Sequence, residues 1–139
     1  FRYYGNRSYM TITNSITEYK TAWRAKPNKN KKEWGWEISW PAMSTIGGKI
    51  LHINAGKSTS FKYYTNKNET LYVMSGLVEI KYGDELFQFD PVQHPIKTEL
   101  FKEGEAINIQ SGCPYQVTAI EYSEVLEIGD NSRSNPVKV

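Results

Sequence analysis

The sequence predicts an antiparallel, all-β protein built as a sandwich or barrel. Three features carry that prediction. Short runs rich in Val, Ile, Tyr, Phe and Thr follow one another from residue 34 onward. Gly, Pro, Asn and Asp punctuate them at close intervals, and no amphipathic helical stretch separates them. A chain of 139 residues suits one domain with a sizeable core.

Taken in order, the first third differs from the rest. SYMTIT, Ser8 to Thr13, reads as a short strand. In SITEYKTAWRA, Ser15 and Glu18 hold capping-box spacing, and Ile16, Tyr19 and Trp23 share one helical face, which predicts a short helix. KPNKNKK, Lys26 to Lys32, reads as a solvated loop because Pro and Asn interrupt its charges. WGWEISW forms a strand that stops at Pro41. KILHINA follows, bounded by Gly47-Gly48 and Gly56. TSFKYYT and TLYVM flank the polar turn NKN. Ser75-Gly76 turns into LVEIKY, and Gly83-Asp84 turns that run into ELFQFD as a hairpin. Residues 91–101 read as a loop carrying Pro91, His94 and Pro95. AINIQ, YQVTAI and EVLEI complete the set. The expected organisation is an N-terminal strand and helix over 1–33, a β domain over 34–128 and a polar, frayed tail over 129–139.

Charge and composition narrow the function. The 17 basic and 15 acidic side chains leave a net charge of +2, too small by itself to point to nucleic acid or a membrane surface, and neither is expected as a partner. No apolar run approaches the ~20 residues of a membrane span. Cys113 is the only cysteine, so no intramolecular disulfide forms, and a reducing, cytoplasmic setting is compatible. No base stands beside Cys113 in sequence, and it reads as a plain thiol. The carboxylates Glu79, Asp84, Glu85, Asp90, Glu121, Glu124 and Glu127 form no acid–base pair by spacing. No phosphate-cradling Gly-rich loop or Ser-His-Asp constellation is visible. His52 and His94 are the only histidines. By strand alternation His52 opposes Leu51 and Ile53 and faces away from whatever they pack against. His94 lies in the Pro-rich loop. No catalytic residue is assigned.

The chemistry concentrates in GKSTSFKYYTNKNETLYVMSG, residues 56–76. Lys62 and Tyr64, two apart on a strand, point to one face, and the turn at Asn66–Asn68 sends the chain back so that Glu69 opens the return strand. Farther on, GEAINIQSGCPYQVTA places Tyr115 just past the Ser111-Gly112 turn. The spacing Gly56, Lys62, Tyr64, Glu69, Gly76 resembles the first cupin motif, Gly-x5-His-x-His-x3-4-Glu-x6-Gly. The second stretch resembles the second motif, with Gly104 and Gly112 in place, Gln110 for its proline, Tyr115 for its histidine and Ala119 for its asparagine. KEWGWE and KILHINAG are similar to the run that opens mannose-6-phosphate-isomerase-type cupins. The resemblance covers roughly residues 33 to 128. It implies a double-stranded β-helix, the jelly-roll cupin barrel, where pattern alone leaves an immunoglobulin-like sandwich open.

In that family three histidines and the glutamate hold a divalent metal. Here only Glu69 remains of the four. A carboxylate inside a barrel needs a cation or donors. The expectation is that the Lys62 ammonium replaces the metal opposite Glu69, with Tyr64 and Tyr115 hydrogen-bonding around the pair. Lys62, Tyr64, Glu69 and Tyr115 would then bind an anionic or hydroxylated small molecule, with no metal and no cofactor. The resemblance makes that molecule a sugar or sugar phosphate. Four alternatives stay open: a closed internal network, a metal-independent sugar-nucleotide isomerase or epimerase that needs His52 or His94 at the site, a mannose-6-phosphate-isomerase-like enzyme with an unusual metal set, and a structural or partner-binding barrel. Phe61, Tyr63 and Thr65, opposite to Lys62 and Tyr64, want cover from the N-terminal segment or from a second subunit. The resemblance also implies a homodimer.

Overall fold

The computed structural model describes residues 19–41, 46–130 and 135–139. Among them there are eleven strands and no helix. In chain order these are β1 (Asn28–Lys32), β2 (Gly35–Ser39), β3 (Ile46–Ile53), β4 (Lys62–Tyr63), β5 (Glu69–Ser75), β6 (Leu77–Tyr82), β7 (Lys97–Lys102), β8 (Ala106–Ile109), β9 (Tyr115–Ala119), β10 (Ser123–Asp130) and β11 (Val137–Lys138). Two antiparallel sheets result, one of six strands in the order β1-β2-β3-β10-β5-β8 and one of five in the order β11-β4-β9-β6-β7. This is the jelly-roll arrangement, in which neighbours along the chain are dealt between two facing sheets.

Period-2 patterning sets what lies between the sheets. Leu51 and Ile53 on β3, Leu71 and Val73 on β5, and Val125 on β10 point inward from the larger sheet. Val78 and Ile80 on β6 meet them from the other sheet, with Val117 and Ala119 on β9. Each such side chain, fully buried, contributes roughly 1.5–3 kcal/mol. The same alternation continues past this apolar zone. It turns Glu37, Lys49, Glu69 and Glu127 inward at one end of the larger sheet, because Lys49 shares a face with Leu51, Glu127 with Val125, and Glu69 with Leu71. The barrel therefore has an oily end and a charged end.

Several expected elements differ. KPNKNKK is not a loop: Asn28–Lys32 pairs along its whole length with β2, and all five residues are exposed. An edge strand needs a partner on one side only, and lysines suit it because they discourage pairing on the other. ELFQFD does not form the hairpin with LVEIKY. The Asp84 carboxylate accepts a hydrogen bond from the Leu86 amide at 2.8 Å, an Asx turn that curls the segment, and Asp90 N donates to Leu86 O at 2.9 Å. The partner of β6 is β7, drawn from residues read as a loop. The helix expected in SITEYKTAWRA is absent over Tyr19–Ala25, where the Thr21 hydroxyl bonds the Ala22 carbonyl at 3.3 Å, a local bond that competes with helix. Its first residues and the expected strand SYMTIT lie outside the described residues. The tail is not wholly frayed: β10 runs to Asp130, and Val137 and Lys138 pair with Tyr63 and Lys62. Cover for the outer face of β4 comes from the chain itself, with Phe87 edge-on to Phe61 at 6.4 Å and Gln88 accepting from the Tyr63 hydroxyl at 3.4 Å.

The turn between β5 and β6 is made by Gly76 at φ 93°. A Cβ there would sit 2.3 Å from Ser123 Oγ and 2.5 Å from Tyr122 O. At Gly56, also at positive φ, a Cβ would meet nothing. Gly56→Ala is therefore expected to cost only the backbone penalty of about 1–2 kcal/mol. Gly76→Ala should cost more than that by about 2 kcal/mol, because the steric clash adds to it. Urea unfolding of the two variants side by side measures the difference.

Candidate ligand-binding site

At the charged end the four residues singled out from the sequence come together with four others. Lys62 on β4 stands opposite Tyr115 on β9. Its Nζ lies 4.9 Å from the centre of the Tyr115 ring and 5.9 Å from that of Tyr64. Glu69 opens β5 with its side chain 1% exposed. Its Oε1 accepts from the Tyr115 hydroxyl at 2.6 Å. Gly129 opposes Glu69 across the ladder and leaves it room: a Cβ there would fall 3.1 Å from Glu69 Cγ.

The cation beside Glu69 is not Lys62. Lys67, from the NKN turn, brings Nζ to 3.0 Å from Glu69 Oε2 and 3.4 Å from Glu127 Oε2. Among the described residues Lys62 has no carboxylate within 4 Å. The reason is positional. Lys62 is held in register over a tyrosine ring, whereas Lys67 sits two residues before Glu69, where the turn folds its stem back over the carboxylate. Lys67 also covers the Tyr64 ring, at 4.6 Å. Lys49 pairs with Glu37 at 3.1 Å, and Lys32 approaches Glu37 at 3.9 Å.

Glu69 Oε2 is buried without a hydrogen bond: the Lys67 ammonium is close, but outside hydrogen-bonding geometry. Burial, then the interaction with the Glu69 carboxylate beside it, push the Glu127 carboxyl up to about 7. Burial alone would raise Glu69 as well. The interactions with Glu127 and Tyr115 and the Lys67 charge outweigh it and hold Glu69 below its ordinary value. Below about pH 7 the carboxyl pair therefore carries one proton and one negative charge. For Lys67 and Lys49, burial favours the neutral amine, but the neighbouring carboxylates prevail and both are raised. For Lys62 burial prevails and its pKa is lowered, with Lys49 and Lys67 adding to the effect against Glu127 and Glu69. Burial also raises Tyr64, and raises Tyr115 well above the ordinary phenol value.

These donors do not fit a divalent metal. Glu69 Oε1 is taken by the Tyr115 hydroxyl, Oε2 faces the Lys67 ammonium at 3.0 Å, the phenols are held protonated, and an ammonium offers no lone pair. Among the described residues no three His, Cys, Asp or Glu side chains are grouped to hold a metal ion. Neither histidine reaches the cluster. His52, on the outer face, stacks on Trp36 at 4.7 Å and bonds the Tyr122 hydroxyl at 2.7 Å. His94 bonds Asp84 at 2.8 Å beside a cleft of ≈ 180 Å³ that Tyr82, Lys97 and Cys113 also line. Burial raises the Cys113 thiol, which keeps it protonated and unreactive.

Sequence reasoning missed Lys67, Glu127, Lys49 and Glu37. Alternation held the signal for two of them: Lys49 falls in step with Leu51 and Ile53, and Glu127 with Ser123 and Val125.

With this geometry in place, comparison with solved structures identifies the architecture. Oxalate decarboxylase from Bacillus subtilis superposes with a TM-score of 0.70 over 88% of this chain and 34% of its own, at 14% identity. KdgF from Halomonas sp. matches over 78% of this chain and 89% of its own, with a TM-score of 0.63 and 11% identity. The capsular polysaccharide assembling protein CapF from Staphylococcus aureus matches over 82% and 34%, with a TM-score of 0.63 and 13% identity. All are cupin-fold proteins, and this chain has the jelly-roll cupin fold. It spans about a third of the oxalate decarboxylase and CapF chains. No family model matches the sequence, and no curated protein matches it by sequence. Among the described residues no helix is long and apolar enough to cross a membrane.

Two outcomes follow from the cluster. Lys67→Met leaves Glu69 buried without its cation and should cost about 3 kcal/mol in urea unfolding, against little for Lys62→Met. The second concerns pH. Because Glu127 is raised from 4.5 to about 7, the folded chain holds a proton that the unfolded chain releases. Its contribution is fully present below about 4.5 and is lost as pH rises through about 7, on the order of 3 kcal/mol. Glu127→Gln, which keeps a donor for Glu69, should flatten the melting temperature across that window.

Proposed function

We propose that the charged end of the barrel binds a small anionic or hydroxylated molecule without help from a divalent metal. The observation that carries this reading is the state of Lys62. Lys49 and Lys67 are matched to carboxylates within 3.1 Å, whereas Lys62 is the ammonium of the cluster with no carboxylate within 4 Å among the described residues. It is half-buried and sits against two tyrosine rings. A ligand anion or hydroxyl completes it. Tyr64 and Tyr115 wall the site, and Glu69, tied down by Tyr115 and Lys67, fixes the Tyr115 ring. Glu69 also borders an open cleft of ≈ 500 Å³ lined by Asn68, Thr70, Asn108, Gln110 and Asp130, side chains suited to hydroxyl groups.

The sugar or sugar-phosphate class rests on the resemblance of the motif spacing to mannose-6-phosphate-isomerase-type cupins. An isomerase reading called for a histidine at the site, and both histidines lie elsewhere, so binding is the better-supported function. A cytoplasmic setting accords with the lone thiol. A homodimer would draw on Tyr72, Met74 and Ile128, exposed together on the outer face of the six-stranded sheet.

Calorimetry with a panel of sugars and sugar phosphates tests the reading. A binder should lose about tenfold or more in affinity in Lys62→Met, equivalent to one charge-assisted hydrogen bond of about 1.5–3 kcal/mol. Unchanged affinity in that variant would remove Lys62 as the anchor.

A further inference from the structure

As a strand, KPNKNKK acquires a geometry that a loop would lack. On β1, Lys29 and Lys31 alternate with Asn30 and share the outer face of the six-stranded sheet, about 7 Å apart. Lys32 turns the other way, toward Glu37. In register beside Lys31 is Trp36, and Trp40 follows on the same face of the chain. The Lys29 ammonium lies 4.7 Å from the Trp36 ring centre. On the next strand His52 stacks on that ring, and Tyr122 lies tilted beyond it at 6.1 Å. Trp40 is 36% exposed and Tyr122 42%. The exposed segment leading into β1 adds Lys20, Arg24 and Lys26, and Glu33 is the only acid between residues 20 and 33. Outside this stretch acidic side chains outnumber basic ones, so the net positive charge of the chain is gathered in the stretch that ends in this edge strand.

We propose that this edge binds single-stranded nucleic acid, with phosphates on Lys29, Lys31 and the preceding cations and unpaired bases against the rings of Trp36, Trp40 and Tyr122. The lysine spacing along β1 is close to that of successive phosphates in an extended strand. The rings favour a base, whose flat π-face stacks on an aromatic side chain, over a lipid headgroup, which would use the cations alone. The heparin arm of the test below separates the base from an acidic polysaccharide. A base taking the open side of Trp36 displaces Lys29 toward a phosphate. The surface lies outside the barrel and does not depend on the proposed small-molecule site.

The test is fluorescence anisotropy of a short labelled oligothymidylate titrated with the whole chain at increasing salt. Saturable binding at low salt is expected, with a slope of log affinity against log salt of about −3, the value for four phosphate contacts. Lys29→Glu with Lys31→Glu should weaken it about tenfold or more, at an unchanged melting temperature because β1 is exposed throughout. Trp40→Ala should weaken it about fivefold or more. Lys81→Glu, on the opposite sheet, should leave it unchanged. No binding at low salt, equal affinity in the double lysine variant, or full affinity in Trp40→Ala would overturn the proposal. So would binding of heparin fragments or anionic vesicles in place of the oligonucleotide.

Discussion

The charged end of this barrel is organised by one requirement: a carboxylate, Glu69, is held almost wholly out of water. An isolated ion in that position would be several kcal/mol unfavourable. Three groups from three parts of the chain offset it. The Tyr115 hydroxyl arrives across the barrel from β9, the Lys67 ammonium from the turn just upstream, and the Glu127 carboxyl, raised to about 7, from β10. Without Glu69, Lys67 would keep only Glu127, at 3.4 Å, and the Tyr115 hydroxyl would be left unsatisfied.

Compensation by a proton rather than by a further cation shapes the electrostatics of the whole end. Lys49, Lys62 and Lys67 face Glu37, Glu69 and Glu127, and below about pH 7 one of these carboxyls is neutral, so the cluster then carries an excess positive charge. Pairing distances show where it resides. Lys49 and Lys67 are within 3.1 Å of carboxylate oxygens, and Lys62 lies against aromatic rings instead. Tyrosines are apt neighbours for it, because their π-faces tolerate a cation while their hydroxyls stay free to bond elsewhere. The same positions in cupins, by resemblance, serve metal-ligating histidines.

Much of this was legible from the sequence. Strand-forming runs, turn glycines and the spacing of Gly56, Lys62, Tyr64, Glu69 and Gly76 led to the jelly roll and to four residues that do meet. What escaped had local causes. ELFQFD has the composition of a strand, yet one Asp84 side-chain bond curls it, and composition carries no trace of that. KPNKNKK has the composition of a loop, yet an edge strand tolerates such residues. Lys62 occupies a motif position and Lys67 does not, so only Lys62 stands out in the sequence. Which of two lysines reaches a carboxylate depends on stem direction, set by the register of β4 against β9 in one case and by a turn in the other. Glu127 was legible in principle, since it keeps step with Val125, but a charged residue in a buried register is read as exposed until its partners are known.

Strand β4, which carries Lys62, is only two residues long, and it makes a single register pair with β9 and two with β11. Strands β5, β6 and β10 are held by ladders of four to eight pairs. Opening free energy follows the number of backbone bonds that must break together. The wall bearing the unmatched ammonium is therefore the part of the barrel that detaches first in thermal fluctuations, while the carboxyl pair opposite stays anchored in the stiffest part of the sheet. Amide exchange would be quickest on the Lys62 side, because one short wall breathes while the rest of the barrel stays closed.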